Sequence, residues 1–178
     1  LDTEVERVEK TEGGYLVTTR RGTYEAKVVV NAAGVYADRF HNMVSGEKLH
    51  IIPRKGEYCL MDKKVGGLVS RTIFQLPTKY GKGVLVTPTV HGNLLAGPTA
   101  VDTEDHEGIN TTREGMEDVL RRAAVSVAGL PTRQIITSFA GLRAHEEKGD
   151  FVLGQPMDAE GFFDAAGIES PGLTCAPA

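Results

Sequence analysis

Long apolar runs, an excess of positive charge and paired cysteines are all missing from this 178-residue chain. No stretch approaches the ~20 apolar residues that a membrane-spanning helix needs, and no charged leader with an apolar centre opens the sequence. The net charge of −4 offers a nucleic-acid backbone nothing to hold. The two cysteines, Cys59 and Cys175, lie far apart and form no C-x-x-C. Free thiols in a reducing cytoplasm are therefore the expectation, and a disulfide has no support. Asp102, Glu104, Asp105 and His106 are metal-ligating residue types without metal-site spacing; they read as a solvated acidic loop, and no metal is expected. Internal repeats and low-complexity segments are absent too. What remains is 40% hydrophobic and 25% charged, the balance of a globular protein with one good core or two small ones.

The most informative stretch is Val28-Val29-Val30-Asn31-Ala32-Ala33-Gly34-Val35-Tyr36-Ala37-Asp38. A continuous apolar run suits a strand buried on both faces, as in a parallel sheet. Ala32, Ala33 and Gly34 then strip the backbone of side chains where the strand ends. Such a turn either serves tight strand-to-helix packing or lets a ligand approach beyond the carboxyl end of the strand.

Before this stretch, the sequence predicts a meander of three strands over 3–12, 15–20 and 24–30, with turns at Gly13-Gly14 and Arg21-Gly22. After it, 36–44 reads as a short helix with Phe40, Met43 and Val44 on its apolar side. Residues 49–52 and 57–61 read as short strands around Pro53-Arg54-Lys55-Gly56, and 72–76 as another. Lys79-Tyr80-Gly81-Lys82-Gly83 is a basic loop whose lysines are expected to be solvated. Residues 84–87 and 94–97 flank Val90-His91-Gly92-Asn93, a hairpin signal. Thr111 and Glu114 form a capping box. Met116, Val119, Leu120, Ala123, Ala124 and Val127 then share one helix face, which Gly129 and Pro131 terminate. That stripe is core rather than a cofactor box, and antiparallel strands under one helix make an α+β unit. Strands follow over 134–139, 151–154 and 162–166. The last runs into Gly167 and a helix start with Ser170 as N-cap and Pro171 at the first helical position. The chain opens at Leu1 inside strand-like sequence and stops just beyond that helix start, as expected of an excised piece of a longer protein.

Two glycine turns at strand ends, separated by an α+β insertion, carry a resemblance. Asn31-Ala32-Ala33-Gly34-Val35-Tyr36-Ala37-Asp38 resembles the second flavin-site signature of the D-amino-acid-oxidase-like FAD-dependent oxidoreductases. Gly167-Ile168-Glu169-Ser170-Pro171-Gly172-Leu173-Thr174 resembles their flavin-ring motif, and Pro53-Arg54-Lys55-Gly56-Glu57-Tyr58 the start of their substrate domain. Thr87-Pro88-Thr89, Gly97-Pro98-Thr99-Ala100 and Ala140-Gly141-Leu142-Arg143 resemble the branch around FAD-dependent glycerol-3-phosphate dehydrogenases. The dinucleotide fingerprint G-x-G-x-x-G is absent, and in this family it lies nearer the N-terminus of the whole protein. Glu169-Ser170-Pro171 resembles the anaerobic type rather than the Gly-Gly-Lys of the membrane-bound enzymes, which leaves the substrate open.

The resemblance implies part of a glutathione-reductase-like FAD-binding domain, mixed α+β and α/β, with an inserted antiparallel substrate domain. Residues 1–48 and 138–178 would form the discontinuous FAD domain and 49–137 the substrate domain. It implies FAD as cofactor in the full-length protein, with hydride transfer from the C2 alcohol of sn-glycerol 3-phosphate to flavin N5. The alternatives are a 2-hydroxy acid such as 2-hydroxyglutarate, an amino acid, or a non-catalytic interaction module on the same fold. Val5, Asn31, Ala32, Ala33 and Gly34 would lie beside the FAD adenosine and diphosphate. Gly141, Gly167, Ser170, Gly172, Leu173 and Thr174 would approach the ring and ribityl. Arg143 is the leading substrate residue, since a guanidinium grips phosphate or carboxylate bidentately; the bland alternative is an ion pair with Glu146, Glu147 or Asp150. Arg54 either joins it or braces its loop. His145 and His91 are candidate proton acceptors, and Tyr58 either packs or binds substrate. Without the first βαβ unit the piece alone is expected to be inactive, to hold little FAD, and to associate through uncovered sheet. The electron acceptor and any partner subunit, including one that tethers the enzyme to a membrane, stay open.

Overall fold

The computed structural model describes residues 1–76 and 83–177; most of the basic loop, with Lys79 and Lys82, lies outside them. The chain divides into two compact units, Leu1–Pro53 with Arg143–Ala178, and Arg54–Leu142.

The first unit begins with an antiparallel meander, β1 (Val5–Thr11), β2 (Gly14–Thr19) and β3 (Gly22–Ala26). β4 (Val29–Asn31) is a separate strand rather than a continuation of β3. The chain changes partner between them. β3 pairs antiparallel with β2, whereas β4 lies parallel to β11 (Phe162–Ala166), with Asn31 level with Asp164. β10 (Val152–Gly154) completes this second sheet antiparallel to β11. The parallel pairing is as expected, but burial on both faces is not. Val29 packs into a core with Val8, Tyr15, Val44 and Phe162, while Val28 and Val30 remain 55% and 66% exposed.

A 3₁₀ turn at Gly34–Tyr36 leads into α1 (Ala37–Val44). Its buried side carries Ala37, His41 and Val44, with Phe40 packed alongside and Met43 exposed. α3 (Gly172–Cys175) is a single turn whose N-cap is Pro171, without a side-chain bond, so Ser170 does not cap it.

In the second unit, β6 (Leu85–Pro88) and β7 (Leu94–Gly97) form the expected hairpin, and β7 pairs with β5 (Ile51–Met61). β5 is one 11-residue strand where two were expected. Pro53 lies ahead of the pairs with β8 (Val101–Asp102), Arg54 with Asp102 and Lys55 with Val101, so its missing N–H interrupts nothing in that ladder. The segment expected as a strand over 72–76 contributes one bridge, Ile73 with Val86. β9 (Ile135–Glu146) also pairs with β5 and runs straight through Gly141, so there is no turn before Arg143.

α2 (Arg113–Ser126) covers one face of this sheet. Val119 and Ala123 reach Cys59, Met61, Val86, Leu94 and Ala96 in a single core; Met116, Leu120 and Val127 flank it, and Ala124 is exposed. The N-cap is Thr112, one residue later than the capping-box reading, with its Oγ1 accepting from Gly115 N at 3.0 Å. The partner that the sequence pattern missed is Glu57. Its buried carboxylate accepts from the Thr112 backbone N–H and from Thr112 Oγ1, neutralising orphan donors at the positive end of the helix.

Candidate functional site

The bare turn after β4 borders a cavity of about 300 Å³ lined by Val5, Val30, Asn31, Ala32, Ala33 and Phe40, among others. The lining is mostly aliphatic and aromatic and suits the flat, weakly polar face of a nucleobase. A Cβ at Gly34 would meet nothing within 4 Å, yet its φ of +59° requires glycine. The space beside this turn is open to a ligand's approach. Val5, Ala32 and Ala33 form part of the cavity's wall.

A second group forms where β11 ends. Gly167 has φ +64°, and a Cβ there would meet Glu146 Cβ at 2.9 Å and the Asp150 carbonyl at 3.1 Å. This glycine has a packing reason of its own, unlike Gly34. Glu169, two residues on, bonds His145 Nδ1 at 2.9 Å and fastens the turn to β9. Glu146, Gly167, Glu169 and Ser170 line a cavity of about 290 Å³. Arg143 and His145 lie two apart on β9, on the face opposite buried Ala144 and Glu146. The His145–Glu169 bond thus ties β9 to the Gly167 turn, and Arg143 lies two residues from His145 on the same strand. Gly172 lies against Ile168, Leu173 is 93% exposed, and Thr174 is exposed. Gly141, mid-strand and exposed, has open space where a Cβ would be.

The other candidates belong to the second unit. Arg54 forms a forked pair with Asp102, Nε to Oδ1 at 2.6 Å and Nη2 to Oδ2 at 3.1 Å. That supports the bracing role. Tyr58 stacks on Phe139 with ring centroids 5.2 Å apart and planes 14° apart, so it packs. His91 sits exposed at the tip of the β6–β7 hairpin, and no hydrogen bond among the described residues orients it as a base. Burial first, and then the neighbouring Glu57 carboxylate, push the Cys59 thiol up; it stays protonated and unreactive.

The sequence reading passed over one cluster. His41 of α1 and Asp164 of β11 are bonded Nδ1 to Oδ2 at 2.7 Å, and Asp164 Oδ1 accepts from Asn31 Nδ2 at 2.7 Å. The available signal was a carboxylate inside an otherwise apolar strand, Phe162-Phe163-Asp164-Ala165-Ala166, which needs a polar partner.

A family model described as FAD dependent oxidoreductase (DAO) matches residues 1–178. Glycerol 3-phosphate dehydrogenase of Caloramator mitchellensis is 55% identical over 178 residues, all of this chain and 37% of that protein. The structure of L-alpha-glycerophosphate oxidase from Mycoplasma pneumoniae with FAD bound superposes with a TM-score of 0.85 at 31% identity, covering 98% of this chain and 47% of that one. Glycine oxidase from Geobacillus kaustophilus superposes equally, with a TM-score of 0.85 at 30% identity, over 98% of this chain and 45% of that one. The chain thus spans less than half the length of each of these relatives. No helix among the described residues is long and apolar enough to cross a membrane.

Proposed function

This chain belongs to the DAO family of FAD-dependent oxidoreductases, and from that membership we propose that the full-length protein oxidises the secondary alcohol of sn-glycerol 3-phosphate. The observation that carries the substrate is the 55% identity to a glycerol 3-phosphate dehydrogenase along all 178 residues. Bound FAD would accept the hydride leaving C2.

The first unit is read as part of the FAD domain. Val5 and the Asn31–Gly34 turn would hold the adenosine side, and the Gly167–Thr174 segment, fastened by the His145–Glu169 bond, the ring side. The second unit is read as the substrate domain, its sheet stiffened by α2 and by the Arg54–Asp102 fork. Arg143 supplies the cation for the substrate's anionic group. Arg143, two residues from His145 on β9, is the leading candidate because a guanidinium grips phosphate or carboxylate bidentately. The equal superposition on a glycine oxidase favours an amino acid as the second reading, since a single arginine also suits a carboxylate.

Steady-state kinetics of the full-length protein test the role of Arg143. Arg143→Ala should raise KM for sn-glycerol 3-phosphate at least 100-fold, matching the ~2–3 kcal/mol of a charge-assisted bond, with Arg143→Lys in between. Glycerol, which lacks the phosphate, should be a poor substrate of both wild type and variant. Unchanged KM in Arg143→Ala would remove Arg143 from the site, and turnover of glycine but not of glycerol phosphate would establish the second reading.

A further inference from the structure

We infer that His41 and Asp164 are positioning residues that hold the cofactor-facing turn Asn31–Gly34 closed. The inference rests on the reading of the first unit as a flavin-binding domain.

Three buried polar side chains tie three elements together: Asn31 at the end of β4, Asp164 in β11 and His41 on α1, each at most 6% exposed. Asn31 Nδ2 donates to the Ala37 carbonyl at 2.8 Å as well as to Asp164 Oδ1. The bond to Ala37 is a strap from residue 31 to residue 37, across the whole turn that borders the cavity. The orientation of the carboxamide decides whether the strap exists. Rotated half a turn, Asn31 would aim Oδ1 at the Ala37 carbonyl, oxygen against oxygen. Asn31 Oδ1 is itself buried without a partner, so burial alone does not select the observed orientation. Two acceptors select it together, the Ala37 carbonyl and Asp164 Oδ1, neither of which can donate.

Asp164 is in turn set by His41. The imidazole Nε2 lies 2.8 Å from the Glu47 carbonyl, an acceptor, so Nε2 carries a hydrogen. Nδ1 faces Asp164 Oδ2, and one proton must lie between them. The pair thus holds a single proton more than a neutral imidazole beside a carboxylate would. On and after α1, Arg39 lies over the Phe40 ring at 5.8 Å and Lys48 donates to the Asn42 and Ser45 carbonyls. Asp38 accepts from Ile51 N at 3.0 Å and has His50 Nδ1 at 4.0 Å. On β1, Arg7 pairs with Glu9, Glu6 with Arg20, and Lys10 donates to the Asp158 carbonyl.

The proton count distinguishes positioning from mere packing. In Asp164→Asn the new amide donates to a neutral His41 Nδ1 while its oxygen still accepts from Asn31, so the strap survives. An imidazole protonated on both nitrogens would instead bring Nδ1–H against that N–H and open the cluster. The experiment is a titration of the full-length apoprotein with FAD from pH 5.5 to 8, read as flavin fluorescence quenching. Asp164→Asn should bind FAD like wild type at pH 8 and at least 10-fold more weakly at pH 5.5, with wild type changing far less. Asp164→Leu should bind at least 10-fold more weakly throughout. An Asp164→Asn profile that parallels wild type at every pH overturns the inference, and so does wild-type affinity in Asp164→Leu. Should the leucine variant not fold, the asparagine profile decides alone. A wild-type protein that takes up no FAD overturns the flavin reading itself, and this inference with it.

Discussion

Glu57, 2% exposed beneath the start of α2, accepts from Thr112, and a Cβ at Gly115 would fall inside its carboxylate. Two variants follow. Glu57→Ala strands the Thr112 N–H and removes a charge from the helix N-terminus; it should cost about 2–3 kcal/mol. Gly115→Ala forces a methyl against the same carboxylate and should cost about 1–3 kcal/mol. Denaturant unfolding checks both, and wild-type stability in either would show that the contact carries no weight. At this scale the sequence was legible where backbone conformation dictates the residue. Gly34 and Gly167, each with positive φ, stand at the strand ends where the pattern put them. It was illegible where one polar side chain answers another far along the chain. Glu57 and Thr112 are 55 residues apart, and Asn31 and Asp164 are 133 apart. No local periodicity records such pairings.

Among the elements, α2 and the β6–β7 hairpin were readable because one amphipathic stripe and one turn determine each. β5 was not, because Pro53 and Gly56 punctuate a stretch whose ladder partners come from elsewhere in the chain. The β3–β4 break escaped for the same reason: local sequence does not announce a change of sheet partner at Lys27. The segment after α1 carries a pH-dependent element. Asp158 accepts from Gly46 N and Ser45 Oγ, each at 2.7 Å, and these bonds hold its carboxyl below the usual range, with Lys10 adding to them. A depressed folded value stabilises the protein above the unfolded carboxyl pKa of ~3.9, and that stability is lost as pH falls through the folded value. Asp158→Asn should therefore be less stable than wild type at pH 7, with the difference shrinking below pH ~4. Thermal melts across that range check this; a pH-independent difference would assign the effect to packing.

Taken as a whole molecule, the 178-residue chain exposes one apolar sheet face, since Val30 and Phe163 are register partners and both are exposed, as are Val28 and Leu153. β4 is the end strand of that sheet. The isolated chain should elute above its 19.1 kDa monomer mass, and Val30→Lys with Phe163→Lys should return it to monomer. A monomeric wild-type chain at high concentration would contradict this. The two glycine turns and the order of the motifs were enough to expect the family from sequence. The polar cluster behind the first turn and the bond behind the second emerged only from the folded chain. Oxidation of sn-glycerol 3-phosphate is read most directly by its anaerobic addition to the full-length flavoprotein, followed at the visible band of oxidised flavin. Rapid bleaching is expected, abolished or slowed at low substrate by Arg143→Ala. Bound flavin that stays yellow with glycerol phosphate but bleaches with an amino acid or a 2-hydroxy acid would contradict it.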